Sequence, residues 1–536
     1  MSSASPVSAI SLTDIGFTWP DGVVALSGVS ATFGRGRTGL VGLNRSGKST
    51  LLRLIRGELA PTSGSITLSG QVDYLPQSIT LDTESTAADL LGIRAKLDAL
   101  RAIESGDVSS HNFDRVGDDW DIETQAAEAL RTAGLAEADL GRPVLTLSGG
   151  ETILVAIAGL RLRGAPIVLL DEPSNNLDRD ARHRLADMIT SWKGALVVVS
   201  HDVALLELME DTAEIYAGRL TVFGGPYSEF AAHREAEQGA ARQAQRAAEQ
   251  VVKVEKRQRI EAETKLTRRS QMGRKAFIEK RVPKIVANSR KSAAQVSAGK
   301  LRTEFDGKLR DARESLDAAE RRVRSDTLIN VDLPDPDVPA GRRLVQLVGS
   351  NREFVIQGPE RVALIGPNGV GKTTLLEAIV YPETARPGRA TVTAHTERIG
   401  YLTQRLDGLD EDASVLDNIR ASAPTVPPGV VRSRLARFLI RGDSATRPVR
   451  GLSGGERFRV SLARLLLAEP PPQLLLLDEP TNNLDLGSVD QLVSALTGYH
   501  GGLIVVSHDD AFLERLELTR CVALDANGEL SDVERR

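Results

Sequence analysis

Apolar residues along this chain fall in short runs. Ile167–Leu170 and Leu474–Leu477 are unbroken apolar tetrads, each closed by an aspartate. TGLVGL and RVALIGP run into glycine-rich loops, and VVVS and IVVS run into a histidine. Runs this short and this apolar read as strands buried on both faces of a parallel sheet. After each glycine-rich loop, STLLRLI or TTLLEAI reads as a helix, and alternation of strand and helix predicts an α/β fold. No stretch approaches the ~20 apolar residues that span a bilayer, so the chain is not expected to form a membrane pathway.

Residues 232–325 follow a different pattern, poor in large apolar residues and rich in Ala, Gln, Glu, Lys and Arg, which suits long helices. Leu301, Phe305, Leu309, Ala312, Leu316, Ala319 and Val323 recur at steps of three and four, a heptad stripe. Ala244, Ala248, Val251, Val254 and Ala262 give a weaker stripe in the first half. Pro283 breaks helical continuity between them. The pattern predicts an antiparallel helical hairpin with its tip near 281–292.

The flanking segments repeat one another. GLNRSGKST, YLPQ, LSGGE, LLDEPSNNLD and VVSHD at 42–202 return as GPNGVGKTT, YLTQ, LSGGE, LLDEPTNNLD and VVSHD at 366–509, in the same order. Between Gln77 and Ser148 the first copy holds 22 more residues than the second holds between Gln404 and Ser453. The insert is placed near 92–118 and read as a surface loop, since loops tolerate insertion. The expected domains are 1–231, 232–325 and 326–536.

The repeated motifs carry chemistry. Gly42, Gly47, Lys48 and Ser49, then Gly366, Gly371, Lys372 and Thr373, fit the phosphate-binding loop GxxxxGK[ST] twice, between a strand and a helix. Glycines let backbone N–H groups wrap phosphates at a helix N-terminus; the lysine reaches the outer phosphates, and Ser49 or Thr373 ligates Mg2+. Asp171 and Asp478 end apolar strands and are candidate Mg2+ holders. Glu172 and Glu479 follow as candidate bases for an attacking water. His201 and His508, at matched positions, read as γ-phosphate sensors.

Composition changes the picture in two ways. The single cysteine, Cys521, cannot form an internal disulfide, and MSSASPVSAISLTDIGF lacks the start of a secretory signal, so a cytoplasmic location is expected. The net charge is −5, yet residues 232–325 hold 25 Lys and Arg against 13 Asp and Glu. Within 250–303 the excess is 16 basic to 4 acidic residues. A basic helical tip on an acidic body is an electrostatic footprint for RNA, with Lys280, Arg281, Lys284, Arg290 and Lys291 as candidate contacts.

With LSGGE beside the phosphate loops, the chain resembles the ATP-binding cassette family, and in its tandem architecture the ABC-F subfamily of ribosome-binding ATPases. The resemblance covers nearly the whole chain. It implies two cassettes of phosphate-loop NTPase fold joined by the hairpin, binding ATP and Mg2+ and pairing within one monomer. It implies composite ATP sites, with Ser148, Gly149 and Gly150, or Ser453, Gly454 and Gly455, closing on the nucleotide of the opposite cassette. Asn44, Thr50, Asn368 and Thr374 in the loops join the ATP contacts; Gln77 and Gln404 join both the ATP and the Mg2+ ligands. The implied partner is the ribosome, through ribosomal RNA and tRNA near the exit site, with modulation of translation or displacement of ribosome-targeting antibiotics as the outcome. A membrane exporter's cytosolic ATPase would carry similar cassettes but leaves the basic hairpin unexplained; a DNA-repair ATPase usually carries far longer coiled coils or zinc-binding cysteines, against one cysteine and a short hairpin here.

Some positions depart from the family. Asn176 and Asn483 stand where histidine is usual, Arg45 where glycine is, and Thr152 follows the first LSGGE where Arg457 follows the second. Trp19 can stack on adenine before the first phosphate loop. The segment before the second, RRLVQLVGSNREF, has no matching aromatic, which leaves Arg343 or apolar contacts. The two sites are therefore expected to be unequal.

Overall fold

The computed structural model describes residues 9–77, 85–278, 284–324, 333–384, 390–404, 406, 408–482 and 484–533. In the first copy the strands are β1 (Ile10–Thr18), β2 (Val24–Phe33), β3 (Gly36–Gly42), β4 (Ser63–Leu68), β5 (Val72–Leu75), β6 (Ile167–Asp171), β7 (Ala195–Val199), β8 (Asp211–Tyr216) and β9 (Arg219–Gly224). In the second they are β10 (Arg343–Val348), β11 (Glu353–Gln357), β12 (Arg361–Ile365), β13 (Thr391–Ala394), β14 (Ile399–Leu402), β15 (Leu474–Asp478), β16 (Gly502–Val506), β17 (Arg520–Leu524) and β18 (Leu530–Asp532). Each copy builds a six-stranded sheet, β5–β6–β7–β3–β8–β9 or β14–β15–β16–β12–β17–β18, parallel except for its last pair. Each adds a three-stranded antiparallel sheet, β2–β1–β4 or β11–β10–β13. The α/β fold with two cassettes is as expected.

The apolar tetrads explain the layering. Every residue of β6, β7, β15 and β16 is buried. Successive side chains point to opposite faces, so Ile167 and Leu169 enter one core while Val168 and Leu170 enter another. Leu474 and Leu476, against Leu475 and Leu477, do the same in the second copy. Cys521, on β17, packs as a small apolar residue against one of these cores.

Strand order then sets where the chemistry collects. β6, β7 and β3 are neighbours, with Asp171 and Leu40 both opposite Val199. Asp171, the loop after Gly42 and His201, two residues past β7, therefore share one carboxyl edge of the sheet, where open α/β sheets bind ligands. β15, β16 and β12 bring Asp478, the loop from Gly366 and His508 together in the same way.

The insert is not the loop expected. It forms two helices, Arg94–Glu104 and Ser110–Val116, that pack on one another. Leu97, Leu100, Val116 and the neighbouring Ile93 and Ile122 bury their side chains. The steps from Ile93 through Leu97 and Leu100 to Ile103 are helical, so the apolar stripe that makes this arm was already in the sequence.

Contacts divide the chain into two units: Met1–Tyr227 with Leu328–Arg536, holding both cassettes, and Ser228–Thr327. In the second unit the helices Tyr227–Ile278 and Lys284–Glu320 run antiparallel, with Gln238 bonded to the backbone of Arg322 and Arg324, and Arg259 paired with Asp306 at 2.8 Å. The stripe from Phe305 to Val323 is sheltered, Leu309 and Ala312 most of all. The weaker stripe is corrected: Ala244, Val251 and Val254 are exposed, and the sheltered face runs Ala241, Gln245, Ala248, Val252, Glu255, Ala262 and Leu266. Its mixture of polar and apolar residues hid it. The expected tip is corrected too, because residues 284–292 already belong to the second helix. Lys280 and Arg281 lie outside the described residues, as do the side chains of Lys284, Arg290 and Lys291. No helix among the described residues is long and apolar enough to cross a membrane.

Candidate functional site

Each phosphate loop is shaped by backbone that only glycine adopts freely. Gly42 and Gly366 have φ of 152° and 150°. A Cβ at either would stand 2.5 Å from the carbonyl of Ile215 or 2.2 Å from that of Leu524, so the strand–loop corner admits no side chain. Arg45 and Gly369 occupy the same loop position, with φ of 65° and 80°. The first loop thus carries a left-handed arginine where the second has glycine. Gly47 and Gly371 open the helices Lys48–Arg56 and Lys372–Val380, leaving Ser49 and Thr373 exposed in the first turn with Thr50 and Thr374 beside them.

Lys48 and Lys372 are buried and folded onto their own loops. Lys48 Nζ donates to the carbonyls of Gly42 and Leu43 at 2.7 and 3.0 Å; Lys372 Nζ donates to Gly366 and Pro367 at 2.6 and 2.9 Å. Burial lowers both ammonium pKa values, partly offset by the carboxylates behind them.

Those carboxylates are buried as well. Asp171 accepts from Tyr74 Oη at 3.3 Å and from the Ser49 hydroxyl; Asp478 accepts from the Thr373 hydroxyl. Burial raises the pKa of both despite these bonds. Asp478 Oδ1 has no hydrogen-bond partner. An orphaned, buried carboxylate oxygen beside a threonine hydroxyl fits a hard cation with oxygen ligands such as Mg2+. Gln77 and Gln404, just past β5 and β14, are exposed at the same sheet edge.

Glu172 and Glu479 sit on strained backbone, with φ of 53° and 44°. A non-glycine residue held there in both copies is the kind of strain that marks functional positions. Burial pushes the Glu172 carboxyl up to about 8 and the Glu479 carboxyl up to about 7. His201 Nε2 is 3.0 Å from Glu172 Oε1, without hydrogen-bond alignment, and His508 Nε2 is 3.4 Å from Glu479 Oε1. Burial holds the imidazoles neutral, at about 3 and about 4.

The cassettes meet at these loops. The Asn44 backbone N–H donates to Asp485 Oδ2 at 2.7 Å. On the other side, Asn368 donates from its backbone to Asp178 Oδ2 at 3.4 Å and from its side chain to the Asn176 carbonyl at 3.1 Å. Gln404 Nε2 reaches Asn176 Oδ1 at 3.4 Å. Asn368 Oδ1 also bonds His508 Nε2, and Lys372 Nζ lies 3.1 Å from the same ring nitrogen. Asn176 has φ of 60°, a conformation that asparagine tolerates well, which accounts for asparagine there; Asn483 lies outside the described residues. Asp178, Asp485 and Tyr74 were not singled out from the sequence, although the doubled NNLD and Y-L-x-Q segments contained the signal.

The LSGGE residues begin helices. Ser148 and Ser453 are N-caps whose hydroxyls accept from the backbones of Glu151 and Glu456, and each glutamate returns a bond to the serine N–H. Gly149 and Gly150, and Gly454 and Gly455, form the first turns. Thr152 donates its hydroxyl to the Ser148 carbonyl, whereas Arg457 turns outward to Glu411.

Trp19 stands past β1 in the turn to β2, edge-on to Phe17 at 5.0 Å. β2 abuts the phosphate loop: a Cβ on Gly47 would be 3.0 Å from Leu26. Arg343 does not occupy the matching place. It opens β10 opposite Gln357, the end away from the β10–β11 turn, about 17 Å from it at strand rise. Arg352 stands in that turn, over the Phe354 ring at 5.1 Å.

The sequence pattern of the ABC transporter family matches residues 26–175 and 350–482. The chain is 30% identical to the tylosin resistance ATP-binding protein TlrC of Streptomyces fradiae, over 94% of this chain and 95% of that protein. It is 31% identical to the energy-dependent translational throttle protein EttA of Mycobacterium tuberculosis, over 92% of this chain and 87% of that protein. A chain in a model of ribosome-bound archaeal Pelota and ABCE1 shares the fold, with a TM-score of 0.54 and 20% identity over 95% of this chain and 76% of its own length.

Proposed function

We propose, from the premise that this chain belongs to the ATP-binding cassette family and to its ABC-F branch, that it is a cytoplasmic, Mg2+-dependent ATPase that remodels the ribosome. One observation supports this best: each phosphate loop is bonded to the NNLD segment of the opposite cassette, Asn44 to Asp485 and Asn368 to Asp178. A nucleotide held by one loop would therefore be sensed by both halves of the molecule.

In this reading the loop glycines and Lys48 or Lys372 grip the phosphates, and Trp19 stacks on one adenine. Ser49, Gln77 and Asp171, or Thr373, Gln404 and Asp478, would hold Mg2+, which would supply neutralisation of phosphate charge. Glu172 or Glu479 orients a water and takes its proton as the water oxygen bonds to the γ-phosphorus and the bond to ADP breaks. His201 or His508 fixes the carboxylate and the γ-phosphate relative to each other. The LSGGE turns present N–H groups to the nucleotide across the interface. Binding draws the cassettes together and hydrolysis releases them. As a monomer the chain needs no second copy for this.

The ribosomal partner is supported by the relatives: one is named for translational throttling, another for tylosin resistance. The excess of basic residues over 250–303 offers the matching charge for ribosomal RNA and tRNA near the exit site. The output is modulation of translation or displacement of an antibiotic. Co-sedimentation of the Glu172→Gln, Glu479→Gln double variant with ribosomes in ATP tests the reading: accumulation on ribosomes is expected. Indifference to ribosomes in every nucleotide state, or co-purification with a membrane protein, would overturn the translational role.

A further inference from the structure

The antiparallel hairpin that precedes each phosphate loop differs in length between the cassettes. In the first, β1 and β2 pair from Ile10 opposite Phe33 out to Thr18 opposite Val24. A tight turn closes them, with the Trp19 N–H donating to the Val23 carbonyl at 2.8 Å. In the second, β10 and β11 pair only from Arg343 opposite Gln357 to Val348 opposite Glu353. β1 has nine residues and β10 six, so the second hairpin stops about 10 Å sooner at strand rise.

A glycine present in both copies marks where it stops. The carbonyl of Gly218, in the turn between β8 and β9, accepts from the Ser27 N–H at 3.0 Å; that of Gly528, in the turn between β17 and β18, accepts from the Ser350 N–H at 3.3 Å. Ser27 lies within β2, and residues 17–26 run on past it. Ser350 lies in the hairpin turn itself. The stretch past Ser27 is what reaches the phosphate loop, since a Cβ on Gly47 would stand 3.1 Å from the Ala25 carbonyl and 3.0 Å from Leu26. Trp19 is half-buried at the end of that stretch, with Val23 and Val24 exposed beside it. The second turn is instead fastened down onto β18. The Leu530 N–H donates to Asn351 Oδ1 at 3.1 Å, and Arg352, lying over Phe354, pairs with Asp532 at 3.3 Å.

Among the described residues of the second cassette, no other aromatic takes the place of Trp19. Tyr381 is exposed but closes the far end of the helix Lys372–Val380, about 13 Å from the phosphate loop. Tyr401 is half-buried on β14 opposite Leu476, and the remaining aromatic side chains are buried. We propose that the second site holds a nucleoside triphosphate by its phosphates and accepts any base, whereas the first selects a purine on Trp19. This deepens the ATPase reading and rests on it. Loop N–H groups and a lysine bind phosphate without regard to the base. An indole face adds stacking that grows with the area it covers, so a purine gains more than a pyrimidine.

The test uses the full chain carrying Glu172→Gln and Glu479→Gln, which is expected to hold ATP without turning it over. Loaded with radiolabelled ATP and Mg2+ and titrated with unlabelled UTP, it should lose label in two equal steps. One falls near equimolar UTP, from the second site; the other needs an excess of roughly tenfold or more, from the first. Trp19→Ala should merge the late step into the early one. Lys372→Met, which keeps the side chain's length without its charge, should remove the early step, and Lys48→Met the late one. A single step in the parent chain, a late step untouched by Trp19→Ala, or loss of the early step in Lys48→Met would overturn the proposal. A parent chain that retains no ATP would overturn the ATPase reading itself and the proposal with it, a result distinct from displacement in one step.

Discussion

The two proposed ATP sites share a sheet edge, a phosphate loop, a strained glutamate and a histidine, but the opposite cassette brings different groups to each. The second site meets Asn176, Asp178 and Arg179, all polar or charged. The first meets Asp485, through a shorter bond of 2.7 Å, beside Leu486 and Val489. The loops differ as well: Arg45 holds a left-handed backbone in the first where Gly369 holds it in the second, and Trp19 has an arginine, Arg352, as its positional counterpart. The two copies share the residues proposed to touch phosphate and differ in what surrounds them. The lesson is that site equivalence must be judged on the far side of the interface as well as within a cassette.

The largest effect expected is on hydrolysis. Glu172→Gln and Glu479→Gln should lower total turnover unequally, and the two together should remove about 10²–10⁴-fold, measured as steady-state phosphate release. Equal losses from the single variants would erase the asymmetry. Trp19→Ala should then raise the KM for ATP several-fold, for a stacking loss of about 1 kcal/mol, and only where the first site is the working one. A similar rise in the Glu172→Gln enzyme would show that Trp19 serves both sites.

The pH profiles of the single-site enzymes sharpen the comparison further. A base acts when ionised, so activity rises with pH through its pKa. Burial pushes Glu479 up to about 7 and Glu172 up to about 8. The acidic limb of the Glu172→Gln enzyme should therefore lie at lower pH than that of the Glu479→Gln enzyme; the reverse order would contradict the assignment of these carboxylates as the bases of their sites. The smallest effect concerns the loops. Arg45→Gly should relieve about 1 kcal/mol of left-handed strain and raise Tm by a few degrees, whereas Gly369→Arg should lower it. A melting temperature that falls on Arg45→Gly would mean that the arginine side chain stabilises more than its backbone costs.

Much of the site could be read directly from the chain. Phosphate loops, acidic strand ends and histidines are local patterns, because their chemistry needs particular residues at particular spacings, and the doubled order of motifs removed ambiguity. The burial of Ile167–Leu170 and Leu474–Leu477 followed from hydrophobicity alone. The arm helices did not emerge, although Ile93, Leu97, Leu100 and Ile103 lie at helical spacing, because an insert was weighed by its length rather than its period. Arg343 was misplaced for another reason: a strand puts its two ends far apart, and which end faces the phosphate loop depends on how β10 pairs with β11.

What the sequence determined by itself was a pair of α/β cassettes with glycine-rich loops, carboxylates and histidines, joined by a helical hairpin. Those features depend on local spacing and on which residues avoid water. Tertiary structure alone decided which side chains of one cassette face the other, placing Asp485 on Asn44, Asp178 on Asn368 and Arg179 on Asp510. These pairs are separated by 190 residues or more, and nothing in the local pattern encodes their distance. Electrostatic influence depends on separation in space and on burial, and both exist only once the chain has folded and its halves have met.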